Sequence, residues 1–331
     1  MRFALPWLLS LTVAASASAA ESPGVSPINT RVLGTRSIVA CEPATGACGI
    51  AVISFPPTSS TVPYGKPGVV VASQMMPTVD GAQAIIAGVE AGVPPQQALD
   101  AVLAMDPIPF LRQVGVVSLG SDGTVQVAQY TGAATWPANC SVAGATYAVQ
   151  AAGQTSAAVC QAMAQGFEQA SGSLALRLLA ALKAGTPVGV DARGERSGTL
   201  RVWSAVSPLS VVTHLIADAS VTGKTKALEL LESELYRYLG QVAPPDAADL
   251  VTLDAATARG LKKVLRDLGY YRGPVDGRWT PEAEAALGAF QAGNVFVPRT
   301  TLEAEGERKI DGPLVQFMLR AEIGSLFPAP R

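Results

Sequence analysis

Any hydrolytic chemistry in this chain has to be built with almost no histidine. His214 is the single one, and it stands in the apolar run Val211-Val212-Thr213-His214-Leu215-Ile216. There it reads as a structural residue, buried or at a sheet edge. A Ser-His-Asp triad would have to use it. No Gly-x-Ser-x-Gly elbow, phosphate loop or dinucleotide fingerprint accompanies it. One nucleophile needs no histidine. A chain that begins with Thr, Ser or Cys can use its own α-amine as the base. That amine titrates at ~7.7–8.0, close to neutral pH, where a general base works best. The stretch Val32-Leu33-Gly34-Thr35-Arg36-Ser37 offers such a start. A cut between Gly34 and Thr35 frees Thr35 at the head of a strand, and Gly34 tolerates a strained scissile geometry. This chemistry requires no cofactor. A zinc site is not expected, because histidine is nearly absent and the cysteine spacings do not suit one.

The elements that must position Thr35 can be read from apolar periodicity. Ser37–Ala40 and Gly49–Ile53 read as the two strands of a hairpin, and Gly68–Ser73 as a third. Asp80–Ala91 reads as a helix capped by Asp80, and Pro94-Pro95 opens another that runs to Met105. Strands follow at Gln113–Ser118, Thr124–Gln129 and Tyr147–Gln150, then helices at 155–170 and 174–184. Thr199–Ser204 and Val211–Ala217 are the next strands, and Lys224–Leu239 a helix. Runs of strands alternating with paired helices suit sheets covered by helical layers. The polar, proline-containing stretch from Gln241 reads as a linker, with boundaries at 241–253. Beyond it, helices are expected over Asp254–Leu268, from Thr280-Pro281 to Gln291, and over Pro313–Ile323.

The start of the chain has the pattern of an export signal. Met1-Arg2 precedes an apolar stretch from Phe3 to Ala15 and the small residues Ser16-Ala17-Ser18-Ala19-Ala20. That stretch is shorter than the ~20 residues a membrane span needs. A signal peptide is therefore expected over 1–20 and an irregular leader over 21–34. After signal removal no membrane span is expected, and the location is periplasmic or secreted. Net charge is −2 with 15% charged residues, which argues against a nucleic-acid partner. Export permits disulfides. A turn at Pro43–Gly46 would put Cys41 and Cys48 face to face across the hairpin. Cys140 and Cys160 then pair by elimination; four free thiols in the core are the alternative.

A set of motifs recurs in order along the first two thirds. They are Thr35-Arg36-Ser37-Ile38-Val39-Ala40, then Pro43-Ala44-Thr45-Gly46-Ala47-Cys48-Gly49-Ile50-Ala51-Val52, then Val62-Pro63-Tyr64-Gly65-Lys66-Pro67-Gly68 and Ala72-Ser73-Gln74. Arg112-Gln113-Val114-Gly115-Val116-Val117, Thr131-Gly132-Ala133 and Tyr147-Ala148-Val149-Gln150 follow, and the last runs from Asp191 to Ser197. In these the chain, from about Thr35 to Ala217, resembles the DUF1028 family, regarded as related to the N-terminal-nucleophile (Ntn) hydrolases. The resemblance implies an α/β (α+β) fold, a four-layer αββα sandwich over 35–240, with amide-bond hydrolysis by Thr35. It suggests Lys66, before the third strand, as a cation that holds the α-amine neutral; a surface lysine is the alternative. Ser73 could position substrate or donate to an oxyanion. Arg193 and Arg196 could bind a substrate carboxylate, or be loop charges. Two departures stand out. Ala151-Ala152 occupy the place where the family tends to show Gly-Asn, and a histidine common after Thr-Gly-Ala is missing.

The end of the chain carries Leu268-Gly269-Tyr270, Gly273, Asp276-Gly277 and Ala285-Ala286-Leu287 leading to Phe290-Gln291. These residues resemble a peptidoglycan-binding domain, a small three-helix fold, here over 254–327. Tyr270, Tyr271 and Trp279 could offer aromatic faces to a sugar or peptide, with Asp276 beside them; packing inside the fold is the alternative. The expected function is an exported Ntn-type amidohydrolase directed to the cell wall, with peptidoglycan or its fragments as partner. A non-catalytic envelope protein that keeps the fold for binding is the second reading, and a disulfide-stabilised structural partner the third.

Overall fold

The computed structural model describes residues 34–56, 62–191, 193–206, 214–304, 306–320 and 323–327. The expected signal peptide, and all of the leader except Gly34, lie outside the described residues. The first elements are the hairpin β1 (Thr35–Glu42) and β2 (Ala47–Ser54), paired antiparallel from Thr35↔Ser54 to Glu42↔Ala47. Gly46 closes its turn at φ +67°, a conformation that costs glycine nothing. The register sets Cys41 opposite Cys48, and the two are joined as a disulfide.

Two antiparallel sheets follow from the chain order. β3 (Pro63–Lys66), β4 (Val69–Met75), β5 (Arg112–Leu119) and β6 (Val125–Thr131) form a four-stranded sheet in that order. Between β4 and β5 run α1 (Val79–Glu90) and α2 (Pro95–Met105). β7 (Cys140–Ala143) and β8 (Tyr147–Ala152) return to the first hairpin. After α3 (Val159–Gln169) and α4 (Leu174–Gly185), β9 (Ser197–Ser204) and β10 (Leu215–Val221) complete a six-stranded sheet, ordered β10-β9-β2-β1-β8-β7. α5 (Ala227–Gln241) then packs on β9 and β10.

Strand alternation sorts the core into three layers of contact. Val39, Cys41, Ile50 and Val52 of the hairpin meet Val70, Ala72 and Val117 between the two sheets. Ile38 and Ala40 point the other way, onto Met163, Phe167, Leu178 and Leu182 of α3 and α4. Val69, Val71, Val114 and Val116 pack under Ile85, Ile86 and Leu99 of α1 and α2. Each fully buried large aliphatic side chain contributes about 1.5–3 kcal/mol. The second disulfide, Cys140–Cys160, ties β7 to α3. Loop-closure entropy for its separation of 20 residues is worth about 3 kcal/mol. Replacing both cysteines by serine is expected to lower unfolding free energy by that amount in a denaturant titration.

Three local expectations need correcting. α1 is capped by Thr78, whose Oγ1 accepts from Gly81 N at 3.2 Å, while Asp80 lies in the first turn. β10 runs from Leu215 to Val221, beyond the end expected at Ala217. Asp218 and Ser220 interrupt its apolar run, yet the small residues Ala217 and Ala219 and the valine Val221 alternate inward. Positions 211–213 lie outside the described residues. The short strands β3 and β7 carry no strong period and were not expected.

The C-terminal part has more than three helices. α6 (Ala255–Asp267) and α7 (Pro281–Gly293) start at the caps Asp254 and Thr280. With them stands a three-stranded antiparallel sheet of β11 (Leu250–Thr252), β12 (Leu302–Ala304) and β13 (Glu307–Asp311). The helix expected over 313–323 is α8 (Gly312–Met318), followed by the short α9 (Ile323–Leu326). Leu261, Leu265, Leu287, Phe290, Phe296, Leu314 and Phe317 form its core. Arg299 bonds this part to the end of α5. Its guanidinium donates to the carbonyls of Leu239 and Ala243 and pairs with Asp311, Nε to Oδ2 at 3.2 Å. Inside the expected linker, Asp249 accepts from Ser173 N at 2.6 Å.

Candidate functional site

The head of β1 lies where the apolar layer between the sheets gives way to polar side chains. Thr35 and Ser37 share the parity of Val39 and so point into that layer, while Arg36 points to the helical side. Thr35 is 6% exposed, and its Oγ1 lies 2.9 Å from Ser54 Oγ. Ser54 Oγ donates onward to the Gly34 carbonyl at 3.0 Å, so the Thr35 hydroxyl donates to Ser54. Phe55 N also donates to that carbonyl at 3.3 Å. The carbonyl before Thr35 therefore has two donors aimed at it.

Glutamines from three strands extend this polar end. Ser37 Oγ donates to Gln74 Oε1 at 2.6 Å and accepts from Gln150 Nε2 at 2.8 Å. Gln74 Nε2 donates to Gln113 Oε1 at 2.7 Å and lies 3.5 Å from the Thr35 carbonyl oxygen. Gln113 Nε2 reaches the Ala151 carbonyl at 3.1 Å. Gly115 leaves room for this set, since a Cβ there would sit 2.2 Å from Gln150 Oε1.

On the helical face the site is ionic. Arg36 is fully buried and ion-paired with Glu195, and it donates to Thr186 Oγ1 at 2.9 Å. Burial pulls its pKa down to about 9, with the charge of Asp191 opposing the fall. Asp191 is 2% exposed and gripped by Arg193, Nε to Oδ1 at 2.8 Å and Nη2 to Oδ2 at 2.5 Å. The Arg193 guanidinium also lies 4.2 Å over the Phe55 ring. Gly34 abuts this carboxylate so closely that a Cβ on it would lie 1.9 Å from Asp191 Oδ2. Among the described residues, seven buried side-chain polar atoms lack a hydrogen-bond partner. Four of them belong to this neighbourhood: Arg36 Nε, Gln150 Oε1, Gln154 Oε1 and Arg193 Nη1. Such atoms are rare in folded proteins, and four of the seven gather around the head of β1.

The residues singled out from the sequence scatter differently. Lys66 is exposed and paired with Glu90 at 2.9 Å. It pairs with Val69, five residues along β4 from Gln74, which is about 17 Å at strand rise. Ser73 is buried, but its parity on β4 turns it toward α1, where its Oγ accepts from Thr78 N at 3.1 Å. Its neighbour Gln74 is the residue that reaches Thr35. Arg193 lies beside the site with its guanidinium committed to Asp191. Arg196 is exposed, and its backbone N bonds the Ser54 carbonyl at 2.9 Å. His214 is exposed just before β10. Ala152 is the register partner of Thr35, and Ala151 that of Arg36. Ser54, Gln113, Gln150 and Asp191 were not singled out. A glutamine inside an otherwise apolar strand is the readable signal that could have found two of these, Gln113 and Gln150.

In the C-terminal part, Tyr271 is 2% exposed and donates to the Pro274 carbonyl at 3.2 Å from inside the core. Tyr270 stands edge-on to Phe290 and accepts from Asn294 Nδ2 at 3.1 Å. Asp276 holds its loop to the buried Lys262 at 2.5 Å, and that bond lowers its pKa. Trp279 donates to Glu284 Oε2 at 2.6 Å and lines a surface pocket of about 460 Å³ with Pro281, Thr300, Thr301 and Arg308. Among the described residues no helix is long and apolar enough to cross a membrane, and no His/Cys/Asp/Glu group could hold a metal ion.

A sheet pair with this hairpin head and this family of motifs defines a class. Residues 35–228 match the family described as "Family of unknown function (DUF1028)", over more than half of the chain, and the chain belongs to that family. Residues 242–318 match the family described as "Putative peptidoglycan binding domain". The crystal structure of a DUF1028 protein from Silicibacter pomeroyi is similar in fold, with a TM-score of 0.55 at 23% identity. The match covers 62% of this chain and 89% of that one. No curated protein matches the sequence.

Proposed function

We propose that this protein is an exported amide-bond hydrolase of the Ntn kind, with Thr35 as its nucleophile, held at the cell wall by its C-terminal part. The observation that carries this reading is the setting of Thr35. A β-branched hydroxyl at the head of a central strand points into the polar end of the inter-sheet layer, bonded to Ser54. Helices on the outer faces of two packed sheets are the order an αββα sandwich has. In the proposed reaction the free α-amine takes the Thr35 hydroxyl proton, and Oγ1 attacks the substrate carbonyl. The amine then protonates the leaving nitrogen, and water hydrolyses the resulting ester. Ser54 lies beside Oγ1, where it can relay that proton. We divide the chain into the hydrolase-like domain at 35–240, a joint at 241–253 and a wall-directed domain at 254–327.

An extracytoplasmic place is supported by the peptidoglycan-binding match and by two disulfides. The non-catalytic alternative also has an observation in its favour. Ala152, directly opposite Thr35, offers no polar group.

Two chains test the enzyme reading, one starting at Gly34 and the other at Thr35. Assayed on peptidoglycan stem peptides and simple N-acyl amides, only the second should turn over. Equal silence from both supports the binding reading. Wall attachment is tested by Trp279→Ala in a pull-down on purified peptidoglycan. Removing an aromatic anchor costs about 2 kcal/mol, or roughly 30-fold in affinity. Unchanged retention would exclude Trp279 as the contact. A truncation at Pro245 is the poorer test, because it strips α8 and Arg299 from α5.

A further inference from the structure

The geometry around Gly34 points to a role for Asp191: we propose that its carboxylate receives the α-ammonium of Thr35 once Gly34 is removed. This rests on the reading of Thr35 as the first residue of the working protein. A carboxylate has about four acceptor positions, two on each oxygen. Oδ1 takes Arg193 N at 3.0 Å and Arg193 Nε at 2.8 Å, and Oδ2 takes Arg193 Nη2 at 2.5 Å. One position on Oδ2 is left, and Oδ2 is the atom that crowds Gly34. An ideal Gly34 Cβ would lie 1.9 Å from it and 2.8 Å from the Gly153 carbonyl oxygen. Adding one Cα–Cβ bond puts Oδ2 within about 3.5 Å of the Gly34 Cα, and within about 6 Å of the Thr35 nitrogen. In the uncut chain the open side of a buried anion therefore faces a CH2 group.

Removing Gly34 changes both partners. The Thr35 nitrogen turns from an amide with one N–H into an ammonium with three, in a site that is almost wholly buried. An unpaired cation there would be costly, and the space that Gly34 occupied opens toward Oδ2. The other carboxylate of the cluster, Glu195, is committed to Arg36. Arg193 and Arg36 together balance Asp191 and Glu195, with Arg196 exposed on the same loop. Asp191 thus orients the amine without a surplus of negative charge that would lock it protonated. The same crowding explains why glycine stands before the cut: a side chain at residue 34 would displace the receptor carboxylate.

Asp191 is a positioning residue, acting through the amine. The test uses the full chain starting at Thr35, with the α-amine labelled with 15N and Asp191 with 13C at Cγ. In the wild-type protein the Asp191 Cγ shift should move at the same pH as the Thr35 nitrogen. Asp191→Asn should lower the α-amine pKa by about one unit. A Cγ signal that ignores the amine titration would overturn the pairing, and so would an unchanged amine pKa in a folded Asp191→Asn protein. The Cγ measurement needs no substitution, so it decides the matter even if the variant does not fold. Neither readout needs a substrate. A chain that shows the coupled titration but cleaves no amide refutes the hydrolase reading alone, and one that cleaves amides without it refutes the pairing alone.

Discussion

Replacing Thr35 by alanine is expected to abolish the proposed amide hydrolysis by a chain that begins at residue 35, while lowering its melting temperature by only a few degrees. The substitution removes Oγ1 and a methyl group and leaves the backbone pairing with Ser54 and Ala152 in place. Its structural cost is one hydrogen bond to Ser54 and one buried methyl group, together about 2 kcal/mol. The chemical cost is the whole covalent pathway. Removal of a nucleophile from a comparable hydrolytic site lowers turnover by roughly three to six orders of magnitude. Thr35→Ser keeps the oxygen and should keep measurable turnover. The two variants, assayed side by side with a thermal melt of each, separate a catalytic threonine from a structural one. Equal activity in wild type and Thr35→Ala would put the chemistry elsewhere.

Arg36→Ala is expected to destabilise the protein by about 3–5 kcal/mol, the cost of breaking a buried ion pair from one side. Arg36 is fully buried, so the substitution leaves Glu195 without its partner and opens a cavity beneath α4. Its bonds to Thr186 Oγ1 and the Gly189 carbonyl go with it. For a domain of this size that is a fall of roughly 10 °C in melting temperature. The comparison is Lys66→Ala, which breaks an ion pair between two exposed side chains. Such surface pairs contribute less than about 1 kcal/mol, and the melt should barely move. A small effect for Arg36→Ala would mean that the ionic cluster beneath Thr35 does not hold the head of β1.

The parts of this structure that were legible in the sequence rest on local signals. The first hairpin follows from a turn between two apolar runs, and its register brings Cys41 to Cys48. Thr280 before Pro281 marks the start of α7, and Asp254 caps α6. Of the residues gathered at the candidate site, the sequence singles out Thr35 and Arg193. The surroundings of Thr35 depend on partners far apart in the chain, as in the bond from Gln150 to Ser37 and the crowding of Gly34 by Asp191. No local pattern encodes such pairs. Ser73 shows how little separates one reading from another. One step along β4 reverses the face of the sheet, so Ser73 supports α1 while Gln74 reaches Thr35. Lys66 shows a second failure. Its place before a strand says nothing about which end of the sheet carries the site. Thr78 rather than Asp80 caps α1 because either polar residue, two positions apart, could serve, and the extended backbone at Thr78 decides.

All of this turns on where the working chain begins. In the proposed mechanism Thr35 with a free amine is a nucleophile and its own base; behind Gly34 it is a buried hydroxyl bonded to Ser54. The direct measurement is the N-terminal residue of the active protein recovered from its native extracytoplasmic fraction, by N-terminal sequencing and intact mass. A chain that starts at Thr35 is the predicted result. An active protein that starts at Ala20 or Glu21 would contradict the Thr35 mechanism.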